Sequence, residues 1–311
     1  MYHFIVNLNS KSDTARSLWQ QLEAELNRRH VKYRTYFTQY TGHASDIAAR
    51  LCASHGRGSA PLVIVTAGGD GTSNEVVNGI PASSFQNVIL GFLPIGSGND
   101  LAAALGIPSD PMEALAHVLA PRRTVRMDLG ILHCTQTGKA RRFCVSSGIG
   151  YDADICLEAS TTPAKVFLNR LRLGRLIYLI LAVKQAFTHR PLHAKLVFDG
   201  VRSRSGKYLF IAAMNAAREG GGLRLAPKAK MNDRKLSVCV VRDFPAAKIL
   251  LLLPTLLFGL HTRVPGFEVI DCSSVEIRCQ DSAVLHTDGE FAGRQKHIRY
   301  SCAGEQVRVM L

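Results

Sequence analysis

Short apolar runs alternate with amphipathic stretches through the first third of the chain. Residues 4–8 read as a buried strand, and Leu18, Leu22 and Leu26 recur at helical spacing within 14–30, with Asp13 or Thr14 as cap. Residues 31–37 alternate like a strand and 42–51 read as a second helix. The β-branched run 61–67 (PLVIVTA) is a third strand, followed by a glycine cluster and a helix over 73–78. Another strand at 88–93 leads through a turn at 94–98 into a helix over 99–105. Four β-α units with continuously apolar strands predict a parallel sheet covered on both faces. From about residue 124 the runs become short and alternating (125–132, 142–146, 193–198, 208–213, 236–241, 275–278), which predicts an antiparallel second domain. One helical region, 163–189, interrupts it, and the final residues, ending EQVRVML, form a last strand. There is no internal repeat and no low-complexity linker.

Composition narrows this picture. The chain has 311 residues, 47% of them apolar, enough for a substantial core divided between two domains. Disorder, a collagen-like chain and a disulfide scaffold are excluded. Eight scattered cysteines without a CxxC pair read as core thiols of a reducing compartment. His189 and His193 have i,i+4 spacing, but Pro191 between them breaks the helix a zinc pair needs. The N-terminus is too short and polar for a signal peptide, and the apolar runs 176–183 and 249–260 fall short of the roughly 20 residues of a membrane span. The expected location is the cytoplasm, or a membrane surface without crossing it.

Charge changes the picture most. The net charge is +14, yet residues 1–121 carry 8 basic and 9 acidic side chains and residues 122–311 carry 30 and 15. Within 163–242 there are 17 basic and 3 acidic side chains. Such asymmetry calls for an anionic partner, a nucleic acid or a membrane surface.

Three segments carry the candidate chemistry. AGGDGTSNEVVNGI (67–80) delivers Gly68, Gly69, Asp70 and Gly71 from a hydrophobic strand to a helix start. Glycines let backbone N–H groups approach phosphate oxygens, and the helix N-terminus adds its dipole. The spacing is neither GxGxxG nor that of a P-loop. GFLPIGSGND (91–100) repeats the arrangement, turning on Pro94, Gly96 and Gly98 before Asn99 and Asp100. Two such loops, each presenting an aspartate, suit a polyphosphate with its magnesium. In LHTDGE (285–290) Asp288 and Glu290 flank Gly289, so both carboxylates can leave a tight turn toward one site, one as general base and the other as metal ligand or water-holder.

Together these segments resemble the diacylglycerol kinase catalytic-domain family, which includes bacterial diacylglycerol kinases and sphingosine kinases. Its patterns GGDGTxNEVxNG, PxGTxND and DGE read here GGDGTSNEVVNG, PIGSGND and TDGE. YTGHASDIA, after Thr38, is similar to the family's nucleotide-side loop, and 221–238 looks like the segment in which an aspartate supports a structural magnesium. Two departures stand out: the first loop reads Asn7-Leu8-Asn9-Ser10-Lys11 without the family's glycine, and the family's Asp-Gly is Asp233-Arg234.

The resemblance implies a phosphofructokinase/NAD kinase-like α/β N-terminal domain (1–123, with a strand at about 297–311 returning to it) and a mainly antiparallel β-sandwich C-terminal domain (124–296) that receives the lipid. It implies ATP and Mg²⁺ as cofactors. Gly68, Gly69, Gly71 and Thr72 would bind phosphates, with Asn7, Ser10 and Thr38 near the nucleotide and Glu75, Gly96, Ser97, Gly98 and Asn99 completing the pocket. Asp70, Asp100 and Glu290 would hold the catalytic magnesium, Asp233 a structural one, and Asp288 would accept the proton of the lipid hydroxyl. The reading is an ATP- and Mg-dependent lipid kinase, with diacylglycerol, converted to phosphatidate, as the expected acceptor. The alternatives are an NAD kinase-like enzyme and an inactive basic membrane-binding protein of the same fold. The expected partners are a lipid and an anionic membrane, with the basic stretch 165–184 against headgroups. The resemblance allows a homodimer, and no nucleic acid is expected, because stacking aromatics are sparse.

Overall fold

The N-terminal apolar run forms β1 (Tyr2–Val6), and a 3-10 turn (Leu8–Lys11) leads into α1 (Asp13–Arg28). Then follow β2 (Tyr33–Phe37), α2 (His43–Ser54), β3 (Leu62–Gly68), α3 (Asp70–Gly79), β4 (Val88–Pro94), α4 (Asp100–Leu105) and α5 (Pro111–Leu119). This computed structural model describes residues 1–11, 13–56, 60–162 and 174–311. It divides into two units, Met1–Asp128 with Gly304–Leu311, and Leu129–Ala303.

In the first unit the strands run parallel in the order β4-β3-β1-β2. Their registers pair Val6 with Phe37 and Ala67, and Gly68 with Pro94, so four carboxyl ends finish along one edge. β3 and β4 are buried on both faces, as continuous apolar runs require. The face of α1 is rotated from the expected leucine stripe. Ala15, Trp19, Leu22 and Leu26 are buried while Leu18 is half-buried, because the Trp19 ring packs against Phe4 and Phe37. α5 is an element the sequence pattern did not single out. Asp110 caps it, accepting the Met112 and Glu113 amides, with Pro111 in the first turn.

The second unit begins within β5 (Thr124–Cys134), which pairs with β6 (Lys139–Phe143). β7 (Ser146–Gly150), α6 (Tyr151–Thr161), α7 (Gly174–Thr188), β8 (Leu192–Phe198), β9 (Arg202–Met214) and β10 (Leu236–Arg242) follow. α8 (Ala246–Phe258), β11 (Phe267–Cys272), β12 (Ser274–Thr287) and β13 (Glu290–Met310) complete the chain. The strands pair antiparallel, with β8 and β7 each bridging β9 and β12 at different points along their length. Alternation on β10 sends Leu236, Val238 and Val240 into the core between strands, and Cys239 and Val241 into a second core under α7 and α8. Residues 304–311, at the end of β13, belong to the first unit, where Arg308 and Val309 pair in parallel with Ile89 and Leu90 of β4.

Three expectations change. Residues 142–146 are not one strand: β6 ends at Phe143 and β7 starts at Ser146, because a carboxylate, not a neighbouring strand, takes the intervening amides. The helical region 163–189 is represented by α7, with α6 before it. Lys165, Phe167, Arg170, Leu171 and Arg172 lie outside the described residues. The apolar run 249–260 largely belongs to a helix, α8, with Pro254 inside it. No helix among the described residues is long and apolar enough to cross a membrane.

Candidate active site

The first unit gathers its candidate residues along the carboxyl edge of the parallel sheet, where ligands of open α/β sheets bind. Asn7 follows β1 and Thr38 follows β2, held by backbone bonds from Asn7 N–H to Ala67 and from Thr38 N–H to Val6. The glycine cluster is shorter than a loop. β3 runs to Gly68, Gly69 alone makes the turn, and α3 starts at Asp70, three residues ahead of the expected start at Ser73. Gly71 and Thr72 therefore lie in the first helical turn, whose amides point to the sheet edge. Gly68 has to lack a side chain, since a Cβ there would stand 2.6 Å from Thr72 Oγ1. Thr72 is buried, and its hydroxyl accepts a hydrogen bond from Asn7 Nδ2 at 3.0 Å, tying the end of β1 to the start of α3. The side chain of Ser10 lies outside the described residues.

The second glycine loop is docked on the first. Gly96 N–H donates to the Gly68 carbonyl at 3.1 Å, and a Cβ on Gly96 would lie 2.4 Å from Gly69 Cα. Asn99 Nδ2 donates to the Gly96 carbonyl, while Ser97 and Gly98 are exposed. Asp70 closes the arrangement: its two carboxylate oxygens accept the amides of Asp100 and Leu101, each at 3.0 Å. It thus caps α4 from another element. Gly68, Gly69, Asp70, Asn99 and Leu101 line a small cleft between these two loops.

Glu75 works the same way. Its oxygens accept the Gly42 amide at 2.8 Å and the Ala44 amide at 3.2 Å, capping α2 from α3 and fixing the segment after Thr38. Asn74 is buried and Asn78 donates to its carbonyl, so these two motif residues build α3 itself. Hard carboxylate oxygens at Asp70 and Asp100 fit magnesium by donor class. Because Asp70 already accepts two amides, its fit is to the ion's water shell.

In the second unit Asp288 and Gly289 form the two-residue turn between β12 and β13, with φ +48° and +78° and Thr287 paired to Glu290. The two carboxylates do not leave this turn together. Asp288 folds back, Oδ1 accepting the Val145 and Ser146 amides (2.8 and 3.1 Å) and Oδ2 the Cys144 amide (2.8 Å). Those bonds create the break between β6 and β7. Glu290 is exposed. Asp233 is exposed and accepts the Lys235 amide in a local turn, and Arg234 adopts the left-handed backbone, φ +62°, that glycine favours.

Beside the Asp288–Gly289 turn, with His286 on β12 two residues before Asp288, lies a cluster the sequence reading missed. Asp152, in the first turn of α6, Glu219 and His286 bring one ligand atom each within 4.8 Å of one another. His286 Nε2 is 3.1 Å from Asp152 Oδ2, and the Gly289 amide lies 3.4 Å from Nδ1, an arrangement that in the neutral ring suits a proton on Nε2 directed to Asp152. A Cβ on Gly148 would stand 1.9 Å from Asp152 Oδ2 and 2.6 Å from His286 Nε2. Burial opposes charge on this imidazole, but the hydrogen bond and charge of Asp152, with Glu219 and Asp288 beyond, outweigh it and raise its pKa. Asp154 is pushed up to about 6 by burial, then by the charge of Asp152. The signal was available in Gly148-Ile149-Gly150-Tyr151-Asp152, which repeats the strand–glycine–acid–helix grammar of the first motif.

Comparison with known proteins agrees with both halves. Residues 1–132 match the model of the diacylglycerol kinase catalytic domain, and residues 147–311 match the YegS C-terminal NAD kinase beta sandwich-like domain. A Chromohalobacter salexigens protein named "Probable lipid kinase YegS-like" is 36% identical over 231 residues, 73% of this chain and 69% of that one. The diacylglycerol kinase of Mycobacterium tuberculosis is 29% identical over 253 residues, 81% of this chain and 77% of its own. Among solved structures, a diacylglycerol kinase from Bacillus anthracis has the same fold, with TM-score 0.71 at 17% identity, covering 99% of this chain and 96% of that one. An NAD kinase from Archaeoglobus fulgidus in complex with ATP follows with TM-score 0.51 at 11% identity, covering 100% and 94%.

Proposed function

The chain belongs to the diacylglycerol kinase family of lipid kinases, an α/β domain joined to an antiparallel β-sandwich domain, and from that premise we propose that it transfers the γ-phosphoryl group of ATP to a lipid hydroxyl, diacylglycerol first among acceptors, at an anionic membrane surface. The observation that carries this reading is the pair of interlocked glycine turns, with Asp70 capping α4 across them. Backbone amides at the start of α3 cradle the phosphates. Asp70, Asp100 and Glu290 would hold Mg²⁺, partly through water, and the ion would supply charge to neutralise the transferring phosphoryl group. Asp233 would support a second, structural magnesium. Asp288 receives the hydroxyl proton, its carboxylate aimed by three amides before substrate arrives. Phosphoryl transfer through a loose transition state asks for positioning and charge neutralisation more than for covalent help, and this site supplies both.

The test supplies Mg-ATP with diacylglycerol, phosphatidylglycerol, sphingosine and NAD in turn and follows labelled phosphate. Phosphatidate as the main product supports the proposal. Labelled NAD as the sole product overturns it in favour of an NAD kinase-like enzyme, and transfer to no acceptor favours a binding protein. The Asn74-Glu75 and Gly98-Asn99-Asp100 signatures favour the lipid side.

A further inference from the structure

α7 and α8 lie side by side on one face of the second unit's sheet. Ala182 and Ala186 of α7, and Ile249 and Leu256 of α8, enter the same core against Phe210, Ala212 and Val241. Their opposite sides are strongly apolar and bare. On α7, Leu179, Ile180, Val183 and Phe187 are exposed at i, i+1, i+4 and i+8, one stripe, with Phe187 70% accessible. On α8 and the residues after it, Leu251 (76%), Leu257, Phe258 (69%) and Leu260 are exposed. Eight of the fourteen large exposed apolar side chains found among the described residues come from these two helices and their flank. A soluble surface rarely concentrates them so without a partner.

The charge around this face selects the partner. Residues 174–190 and 244–267 contain no aspartate or glutamate. Arg190 and Arg263 follow the two helices and are exposed. Lys248 lies over the Phe244 ring at 3.8 Å. The 224–230 loop runs beside the end of α8, since the Arg224 amide donates to the Leu256 carbonyl, and it presents exposed Lys228 and Lys230. An apolar face with a basic rim matches an anionic bilayer, where rings and aliphatic chains enter the acyl boundary and cations meet phosphates. Against a second copy, related by a two-fold axis, the same rim would set like charges together.

We infer that the paired outer faces of α7 and α8 are the membrane-docking surface of this protein, with Leu251, Phe258 and Phe187 inserting below the headgroups of an anionic bilayer and Arg263, Lys228 and Lys230 contacting its phosphates. It deepens the lipid-kinase reading and rests on it only for the diacylglycerol turnover arm of the test. On this inference both helices lie in the plane of the interface, since no helix among the described residues is long and apolar enough to span it. The inference shifts the docking site from the basic stretch alone to a surface completed by α8, which carries a single charged residue.

The experiment sediments the full chain with vesicles of phosphatidylcholine, with and without phosphatidylglycerol. It compares wild type, Leu251→Glu/Phe258→Glu and Arg263→Glu. Wild type should bind the anionic vesicles and lose binding as salt rises. The double variant should need at least about tenfold more lipid for half binding, and Arg263→Glu about tenfold more on anionic vesicles only. Thermal melts matching wild type show that these exposed changes leave the fold intact. In parallel, turnover on vesicle-embedded diacylglycerol should fall with binding, while turnover on a monomeric short-chain diacylglycerol stays at the wild-type rate. Unchanged vesicle binding by the double variant overturns the inference, as does equal binding of wild type to neutral vesicles. A wild-type dimer that becomes monomeric in the double variant while vesicle binding is unchanged assigns the face to self-association and also overturns it. Absence of phosphate transfer by wild type to every acceptor would sink the kinase proposal while leaving the sedimentation result to judge the docking surface by itself.

Discussion

The two units use their acidic side chains in different ways. In the first, Asp70 and Glu75 each reach from α3 to the bare N-terminus of another helix, so one short motif locks α2, α3 and α4 around the strand ends. In the second, Asp288 accepts three amides of an interrupted strand, and Asp152 is hydrogen-bonded to a buried histidine. The first unit holds its charge-bearing groups with regular structure, and the second holds them with exceptions to it. A motif acid can therefore act by holding backbone in place. In the parallel domain it holds the helix starts in place at the strand ends.

This contrast sets the expected size of mutational effects. Asp288→Asn should give the largest, because it removes the proposed proton acceptor and sets an amide NH₂ against backbone donors. Turnover should fall by about 10²–10⁴, with ATP affinity, a property of the other unit, nearly unchanged. Steady-state kinetics with equilibrium ATP binding checks this, and substantial residual activity would show that Asp288 only shapes the strand break. Gly96→Ala probes the first unit. Its Cβ would meet backbone atoms of Gly69 at 2.4 and 2.5 Å, so the two turns must part. We expect a loss of about 1–3 kcal/mol in stability and at least about tenfold weaker ATP binding, read by denaturant titration and calorimetry. Wild-type ATP affinity in this variant would mean that the interlocked turns are scaffold alone.

The same contrast explains what the sequence could tell. The parallel unit was legible because its strands are buried on both faces and read as continuous apolar runs, and its two glycine turns sit where those runs end. What failed there was local: Trp19, not Leu18, faces the core, and α3 begins at Asp70 because glycine lets the chain turn within one residue. The antiparallel unit was legible as a class but not in detail. The break at Cys144–Val145 depends on a carboxylate more than 140 positions away, which no local pattern encodes. α8 was read only as an apolar run, because a helix buried on one side and apolar on the other has no polar face to reveal its period. Asp152, Glu219 and His286 meet only after three separate segments fold, although the glycine spacing before Asp152 pointed to one of them.

A smaller effect tests the exceptions of the second unit through pH. The carboxyl of Asp154 is raised from 3.8 to about 6, by burial first and by Asp152 second. Between those values the folded chain holds a proton the unfolded chain has released, so stability falls as pH rises through the window from about 4 to about 6, and stays lowered above it. The raised imidazole of His286 acts in the same direction at higher pH: its stabilising charge is present below the ordinary histidine value and is lost as pH climbs through the folded one. Asp154→Asn should abolish the lower-pH part of this decline and stabilise the protein at pH 7 by about 1–2 kcal/mol, a figure reduced for its partial exposure. Urea unfolding at pH 4, 5, 6 and 7 reads the slope, and an identical slope in the variant would remove Asp154 as its source.

A comparable but more local effect is the most specific to the first unit. Glu75 presents two oxygens to two amides, those of Gly42 and Ala44, at a helix start where a negative charge is favoured. Glutamine keeps one oxygen, replaces the other with a donor facing a donor, and removes the charge. Glu75→Gln should therefore cost about 1–2 kcal/mol, and hydrogen exchange should speed up first at the Gly42 and Ala44 amides. Glu75→Ala, which leaves both amides bare without adding a competing donor, separates the lost bonds from the added conflict. If exchange at those amides stays at the wild-type rate in both variants, Glu75 is not what holds the start of α2, and the motif acid would have to be explained by contact with nucleotide instead.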